Sequence, residues 1–135
     1  MVRVCISGYF DPLHVGHLEY IKKSKELGDE LIVIVNNDKQ AILKKGKSFM
    51  SEEDRVEILK AIKWVDEVVL SIDEDRSVCK TLEMIKPDIF ANGGDRHNYE
   101  VPESVVCKKY GIKMVDGVCP QLRQSSVLIK NYEEK

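Results

Sequence analysis

Apolar residues in this chain fall into short β-branched runs, separated by stretches in which they recur every three or four positions. Residues 2–7 and 30–35 have the density of strands buried on both faces. Between them, residues 16–27 predict a helix with Leu18, Ile21 and Leu27 turned inward. Asn36-Asn37-Asp38 ends the second strand, and residues 40–49 read as a short helical piece running into a mobile basic loop, Lys44-Lys45-Gly46-Lys47. Ser51-Glu52-Glu53-Asp54 opens the next helix, with Ser51 as N-cap and acids in the first turn. It runs to about Trp64 with Val56, Ile58, Leu59 and Ile62 toward the core.

Beyond it come a strand at 65–71 and a helix at 77–85 that stops before Pro87, which biases Lys86 away from helical geometry. A strand at 89–92, a helix at 102–110 closed by Gly111, a fifth strand at 112–115 and a terminal helix at 125–132 complete the pattern.

Repeated β-α alternation predicts an α/β fold, a Rossmann-like doubly wound sheet of about five parallel strands with helices on both faces. In such a sheet ligands bind outside the carboxyl ends of the strands, near the point where the strand order reverses. Tyr9, Phe10, His14 and His17 follow the first strand, Asn37 and Asp38 the second, residues 93–96 the fourth, and Ser125 and Ser126 lie beyond the fifth. These residues are therefore expected to converge on one crevice. The chain has 135 residues and no repeat or low-complexity linker, so a single domain over 1–135 is expected.

The net charge of −2, from 21 Lys and Arg against 23 Asp and Glu, excludes a broad nucleic-acid-binding surface, so any phosphate site must be locally basic. Arg3 interrupts the first apolar run, which supports neither a signal peptide nor a membrane span. Cys5, Cys79, Cys107 and Cys119 are scattered and suit a reducing, cytoplasmic compartment with no chemistry assigned to them.

Two of the three histidines lie in His14-Val15-Gly16-His17, where the first strand meets the first helix. Unpaired N–H groups and the positive end of the dipole meet at a helix start. Side chains three apart share a face there, so both imidazoles can donate to one anion, with Gly16 allowing close approach. A metal half-site is the competing reading, but no Cys-x-x-Cys or His-Glu-x-x-His accompanies the pair. An ordinary solvated helix start is the other. Asp11 fits a backbone-bonding turn residue or a substrate-orienting one. Lys44 and Lys45 fit a solvated loop or a phosphate grip, Arg55 an ion pair with Glu52 or another nearby acid, Gly93-Gly94-Asp95-Arg96 a tight turn, and Ser125-Ser126 an N-cap.

Residues 8–17, Gly-Tyr-Phe-Asp-Pro-Leu-His-Val-Gly-His, resemble the signature of the cytidylyltransferase-like nucleotidyltransferase superfamily, whose hallmark is His-x-Gly-His. Leu27-Gly28-Asp29, the lysine-rich loop, Trp64-Val65-Asp66-Glu67-Val68, Lys86-Pro87-Asp88 leading to Gly93-Gly94-Asp95, and Ser125-Ser126 follow in the family's order. The resemblance implies nucleotidyl transfer, in which an oxygen of a second substrate attacks the α-phosphorus of a nucleoside triphosphate and pyrophosphate leaves.

It also implies catalytic roles for His14, His17 and Lys44. The nucleotide would be bound by Gly8, Tyr9, Phe10, His14, Gly16, His17, Gly93, Gly94, Asp95, Ser125 and Ser126; Val127 supplies no third hydroxyl, so one phosphate contact is either missing or replaced by Arg123. Asn92-Gly93-Gly94-Asp95 is closest to the Gly-Gly-Asp of bacterial heptose-phosphate adenylyltransferases, which act in lipopolysaccharide core biosynthesis. The resemblance thus favours ATP over CTP and a small phosphorylated acceptor such as a sugar phosphate, with Mg²⁺ and a homodimer. Lys63, where many cytidylyltransferases carry Arg, also weighs against CTP. Alternatives are a CTP-dependent glycerol-phosphate-type enzyme, an archaeal-type FMN adenylyltransferase sharing Leu-Gly-Asp and Lys-Pro-Asp, and a non-catalytic nucleotide-binding regulator.

Overall fold

A computed structural model describes residues 1–10, 13–46, 50–75, 77–92 and 102–115. Within it, β1 (Arg3–Gly8) and β2 (Glu30–Val35) pair in parallel along their whole length, from Arg3 opposite Glu30 to Gly8 opposite Val35. On the far side of β2 lies β3 (Glu67–Leu70); on the far side of β1 lie β4 (Ile89–Ala91) and then β5 (Lys113–Val115). The order β3-β2-β1-β4-β5 is parallel throughout. Winding runs outward one way through β3 and resumes on the other side at β4, so the switch point falls between β1 and β4.

Among the described residues five helices, α1 (Val15–Lys25), α2 (Asp38–Lys45), α3 (Glu52–Lys60), α4 (Cys79–Ile85) and α5 (Glu103–Tyr110), connect or flank these strands. Alternate strand residues divide between two cores. Val4, Ile6, Leu31, Val33 and Val35 pack with Tyr20 and Ile21 of α1 and Leu59 of α3. Cys5, Ile32 and Ile34 pack on the opposite face with Leu82 of α4 and Val106 and Cys107 of α5. Helices on both faces are why the strand sequences are apolar at nearly every position.

Several boundaries and faces differ from the sequence-based expectation. The buried side of α1 is Gly16, His17, Tyr20, Ile21 and Ser24, whereas Leu18 is 36% and Leu27 37% exposed. His17 rather than Leu18 faces inward, its ring against Phe10. Ile58, expected inside, is 40% exposed because Leu59 occupies the core side of α3.

Residues Val65 and Asp66, expected in a strand, precede β3. There the Asp66 carboxylate accepts from the Leu31 amide at 2.7 Å and from Lys25 Nζ at 2.5 Å. Lys44 and Lys45, expected on a loop, belong to the last turn of α2, which Gly46 closes in the left-handed region at φ 82°. Asn37 ends β2 and at once caps α2: its side chain accepts from the Gln40 amide, and the Gln40 side chain accepts from the Asn37 amide.

Ser51 caps α3 through the Asp54 amide at 3.2 Å, and Gly111 closes α5 at φ 68°, both as local chemistry predicts. Gly28 permits the start of β1 to pass close by, since a Cβ there would stand 2.7 Å from a Val4 methyl and 2.8 Å from the Val2 carbonyl. The terminal helix expected at 125–132 lies outside the described residues. No helix among the described residues is long and apolar enough to cross a membrane.

Candidate functional site

The site is built from the exit of β1. Phe10 adopts φ 51°, a conformation bulky residues rarely take, and its ring folds back over Gly8, where a Cβ would lie 2.9 Å from the ring. The ring is 2% exposed and meets His17 edge-on, with centroids 5.0 Å apart. Phe10 therefore acts through its side chain, as a wedge beneath His17, as well as through the backbone turn.

His14 is the N-cap of α1. Its Nδ1 accepts from the Gly16 amide at 3.1 Å, while His17 Nδ1 accepts from the His14 amide at 3.2 Å. The two rings lie against each other, centroids 3.8 Å apart and planes tilted by 31°. An Nδ1 that accepts a hydrogen bond carries no proton, so each neutral ring bears its proton on Nε2. The capping box thus makes both imidazoles into Nε2–H donors of one tautomer.

Burial, and then the neighbouring His14, push the His17 pKa from 6.5 down to about 3. Since the unfolded chain takes up this proton near pH 6.5 and the folded chain does not until about pH 3, His17 contributes stability that is complete above pH 6.5 and lost as pH falls between those values. His17 is expected to keep its Nε2–H tautomer at pH 5, read from its ring nitrogen shifts by NMR. The fall in unfolding free energy between pH 6.5 and pH 4 should shrink in His17→Asn. A ring that titrates near 6.5 in the folded protein would refute this.

Arg55 of α3 ties the strand exits together. Its side chain is fully buried, with Nη1 donating to the Tyr9 carbonyl at 2.7 Å and the Asn36 carbonyl at 2.6 Å. Nε donates to the Met50 carbonyl at 3.1 Å and Nη2 to Asp38 Oδ1 at 2.7 Å. The ion pair expected with Glu52 or another nearby acid forms with Asp38, while the Glu52 carboxylate accepts from the Asp38 amide at 2.8 Å.

Beside this, Asn37 Nδ2 donates to the carbonyls of Ser71 and Asp73, and Gln40 Nε2 to those of Asp75 and Ser77. Asp73 spends its carboxylate on the start of α4, accepting from the Lys80 and Thr81 amides and the Thr81 hydroxyl. At the end of β4, the Tyr20 hydroxyl donates to the Ala91 carbonyl at 2.6 Å, and the Asn92 amide donates to the Val115 carbonyl at 2.7 Å.

Gly8, Tyr9, Phe10, His14, Gly16 and His17 are thus gathered at the carboxyl end of β1, beside the switch point. Lys44 sits at the carboxyl end of α2; its side chain, together with Asp11, Gly93, Gly94, Asp95, Arg96, Arg123, Ser125, Ser126 and Val127, lies outside the described residues. Sequence reasoning names Arg55 but misses Tyr20 as a site-building residue. Tyr20 has a readable signal, since it stands three positions after His17 on the same helix face. Burial pushes the thiols of Cys5 and Cys107 up, the latter to about 11, so both are unionised at neutral pH.

Residues 5–120 match the family model described as cytidylyltransferase-like. A protein of Pyrococcus abyssi named FAD synthase is 45% identical over 96 residues, covering 70% of this chain and 64% of that protein. The chain thus spans just under two thirds of that relative. A Thermoplasma volcanium protein, also named FAD synthase, is 38% identical over 138 aligned positions, covering 99% of this chain and 96% of that one.

The crystal structure of a lipopolysaccharide core biosynthesis protein from Thermoplasma volcanium GSS1 superposes with a TM-score of 0.74 at 34% identity, covering 86% of this chain and 95% of that chain. A pantoate-β-alanine ligase from Francisella tularensis, at 18% identity and a TM-score of 0.60 over 93% of this chain and 61% of its own, shares the fold alone.

Proposed function

The chain belongs to the cytidylyltransferase-like family, and within it we propose that the protein is an FMN adenylyltransferase, moving AMP from ATP onto the phosphate of FMN. One observation carries this choice of acceptor: similarity to a protein named FAD synthase extends over 99% of this chain and 96% of the relative. It displaces the sugar phosphate favoured by Gly93-Gly94-Asp95 alone, although the name of the Thermoplasma volcanium structure keeps that acceptor as a second reading.

In this reaction a phosphate oxygen of FMN attacks the α-phosphorus of ATP in line. The bond from that phosphorus to the β-phosphate's bridging oxygen breaks, and pyrophosphate leaves with the electron pair. The attacking phosphate is already anionic at neutral pH, so the protein's work is positioning and charge stabilisation rather than proton removal.

His14 and His17 supply it through their Nε2–H groups, which donate to phosphate oxygens as charge shifts onto them. The start of α1 adds its positive dipole end. By family resemblance, Lys44 grips phosphate from the end of α2, Gly8, Tyr9, Phe10 and Gly16 line the nucleotide at the β1 exit, Gly93, Gly94 and Asp95 meet the nucleoside, and Arg123, Ser125 and Ser126 hold the outer phosphates.

Mg²⁺ is taken to enter with ATP, screening its triphosphate and easing the departure of pyrophosphate. The purified protein, given ATP or CTP with FMN, glycerol phosphate or hexose and heptose phosphates, is expected to release pyrophosphate fastest with ATP and FMN and to form FAD. Turnover of a sugar phosphate without FMN turnover would overturn the acceptor, and nucleotide binding without any turnover would favour a regulator.

A further inference from the structure

Resting on the assignment of the imidazoles to the triphosphate, the geometry points to Tyr20 as a positioning residue that sets the spacing across the crevice between the histidine turn and the β4 exit. β1 pairs with β2 through to Gly8 and Val35, but with β4 only at Val4 with Ile89 and Cys5 with Phe90. Beyond Cys5 and Phe90 no further pair between β1 and β4 occurs among the described residues, at the switch point where sheets of this kind open their crevice.

Ala91, the last residue of β4, keeps its pairing to Val115 of β5 on the outer side. On the inner side its carbonyl accepts from the Tyr20 hydroxyl at 2.6 Å. A phenol thus stands where a strand-to-strand hydrogen bond would otherwise close the sheet. The bond is buried, Tyr20 being 4% exposed and packed in the same apolar cluster as Phe10 and Ala91.

Tyr20 follows His17 by one helical turn on the buried face of α1. The connection therefore runs from the His17 ring through α1 to the Tyr20 hydroxyl, then to Ala91 and Asn92. On one side of it stand the donors proposed for the triphosphate. On the other, Gly93, Gly94 and Asp95 follow directly in sequence, the residues proposed for the nucleoside. A leucine at position 20 would fill the same core without holding the Ala91 carbonyl, so the hydroxyl is the part that sets the distance.

Tyr20→Phe and Tyr20→Leu test this with the full-length protein. ATP affinity is measured without any acceptor, and kcat, KM for ATP and Tm are measured beside it. Tyr20→Phe is expected to keep Tm within a few degrees, weaken ATP binding about tenfold and lower kcat about tenfold, because a displacement on the order of an ångström is enough to cost that much. Tyr20→Leu should show the same two losses with a larger fall in Tm.

Wild-type ATP affinity and kcat in Tyr20→Phe would overturn the proposal, whatever happens to Tm; so would impairment confined to Tyr20→Leu, which would mark a packing role. Wild-type protein that binds ATP but makes no FAD overturns the acceptor reading alone, and the Tyr20 comparison is then decided by ATP affinity. Wild-type protein that binds no ATP overturns both.

Discussion

His17→Ala is expected to lower kcat for adenylyl transfer by about 10²- to 10³-fold, the loss typical of removing one preorganised donor from a developing anion. The expectation rests on the ring's two nitrogens having separate work. Nδ1 is spent on the His14 amide, and Nε2–H is left as a donor at the helix start. Alanine removes both, and it also takes away the edge against which Phe10 packs.

His17→Asn separates the two contributions, because its side-chain carbonyl can accept from the His14 amide while its reach cannot reproduce the distal Nε2–H. The asparagine variant should therefore recover most of the roughly 1 kcal/mol of helix-start stability that the alanine variant gives up. It should not recover kcat. Steady-state kinetics with ATP and FMN beside thermal unfolding reads both effects. A kcat for His17→Ala within about threefold of wild type would remove His17 from the transition state.

Arg55→Met should produce the largest loss of stability, about 3 to 5 kcal/mol, the range for deleting one partner of a buried charged network. One guanidinium satisfies the carbonyls of Tyr9, Asn36 and Met50 and pairs with Asp38. Methionine fills much of its volume and satisfies none of them.

Asp38→Asn should cost far less, about 1 kcal/mol, because its side chain is 36% exposed and the amide oxygen can still accept from Nη2. Arg55→Lys should fall between the two, since a point charge on a flexible stem cannot serve carbonyls on both sides as a planar fork does. Urea denaturation gives the three values. If Arg55→Met cost less than about 1 kcal/mol, the guanidinium would be incidental to how the strand exits are held.

The parts of this molecule legible in the sequence are those whose cause is local. Ser51 and Gly111 mark helix ends because capping and left-handed geometry are decided within a few residues. The apolar run at residues 31–35 announces a strand covered on both faces because each successive side chain there is buried, whichever face it joins. His-x-Gly-His is legible as a helix start for the same reason. The misplaced basic segment has a local explanation too. Asn37 both stops β2 and starts α2, and reading it only as a stop puts Lys44 and Lys45 on a loop.

The acceptor is only partly legible: Gly93-Gly94-Asp95 favours a sugar phosphate, while Leu27-Gly28-Asp29 and Lys86-Pro87-Asp88 leave FMN as an alternative. Similarity along nearly the whole chain is needed to favour FMN over a sugar phosphate.

By itself the sequence determined the β-α alternation, the parallel doubly wound class, the placement of two imidazoles at a helix start and the membership that follows from them. Each depends on residues a few positions apart. Only the tertiary structure decided that His17 faces inward over Phe10, that both imidazoles are held as Nε2–H donors, and that Arg55 and Tyr20 brace the strand exits. Arg55 meets Tyr9 across 46 positions and Tyr20 meets Ala91 across 71, and no periodicity reports a hydrogen bond at that separation. Such partners exist only once the sheet has set its strand order.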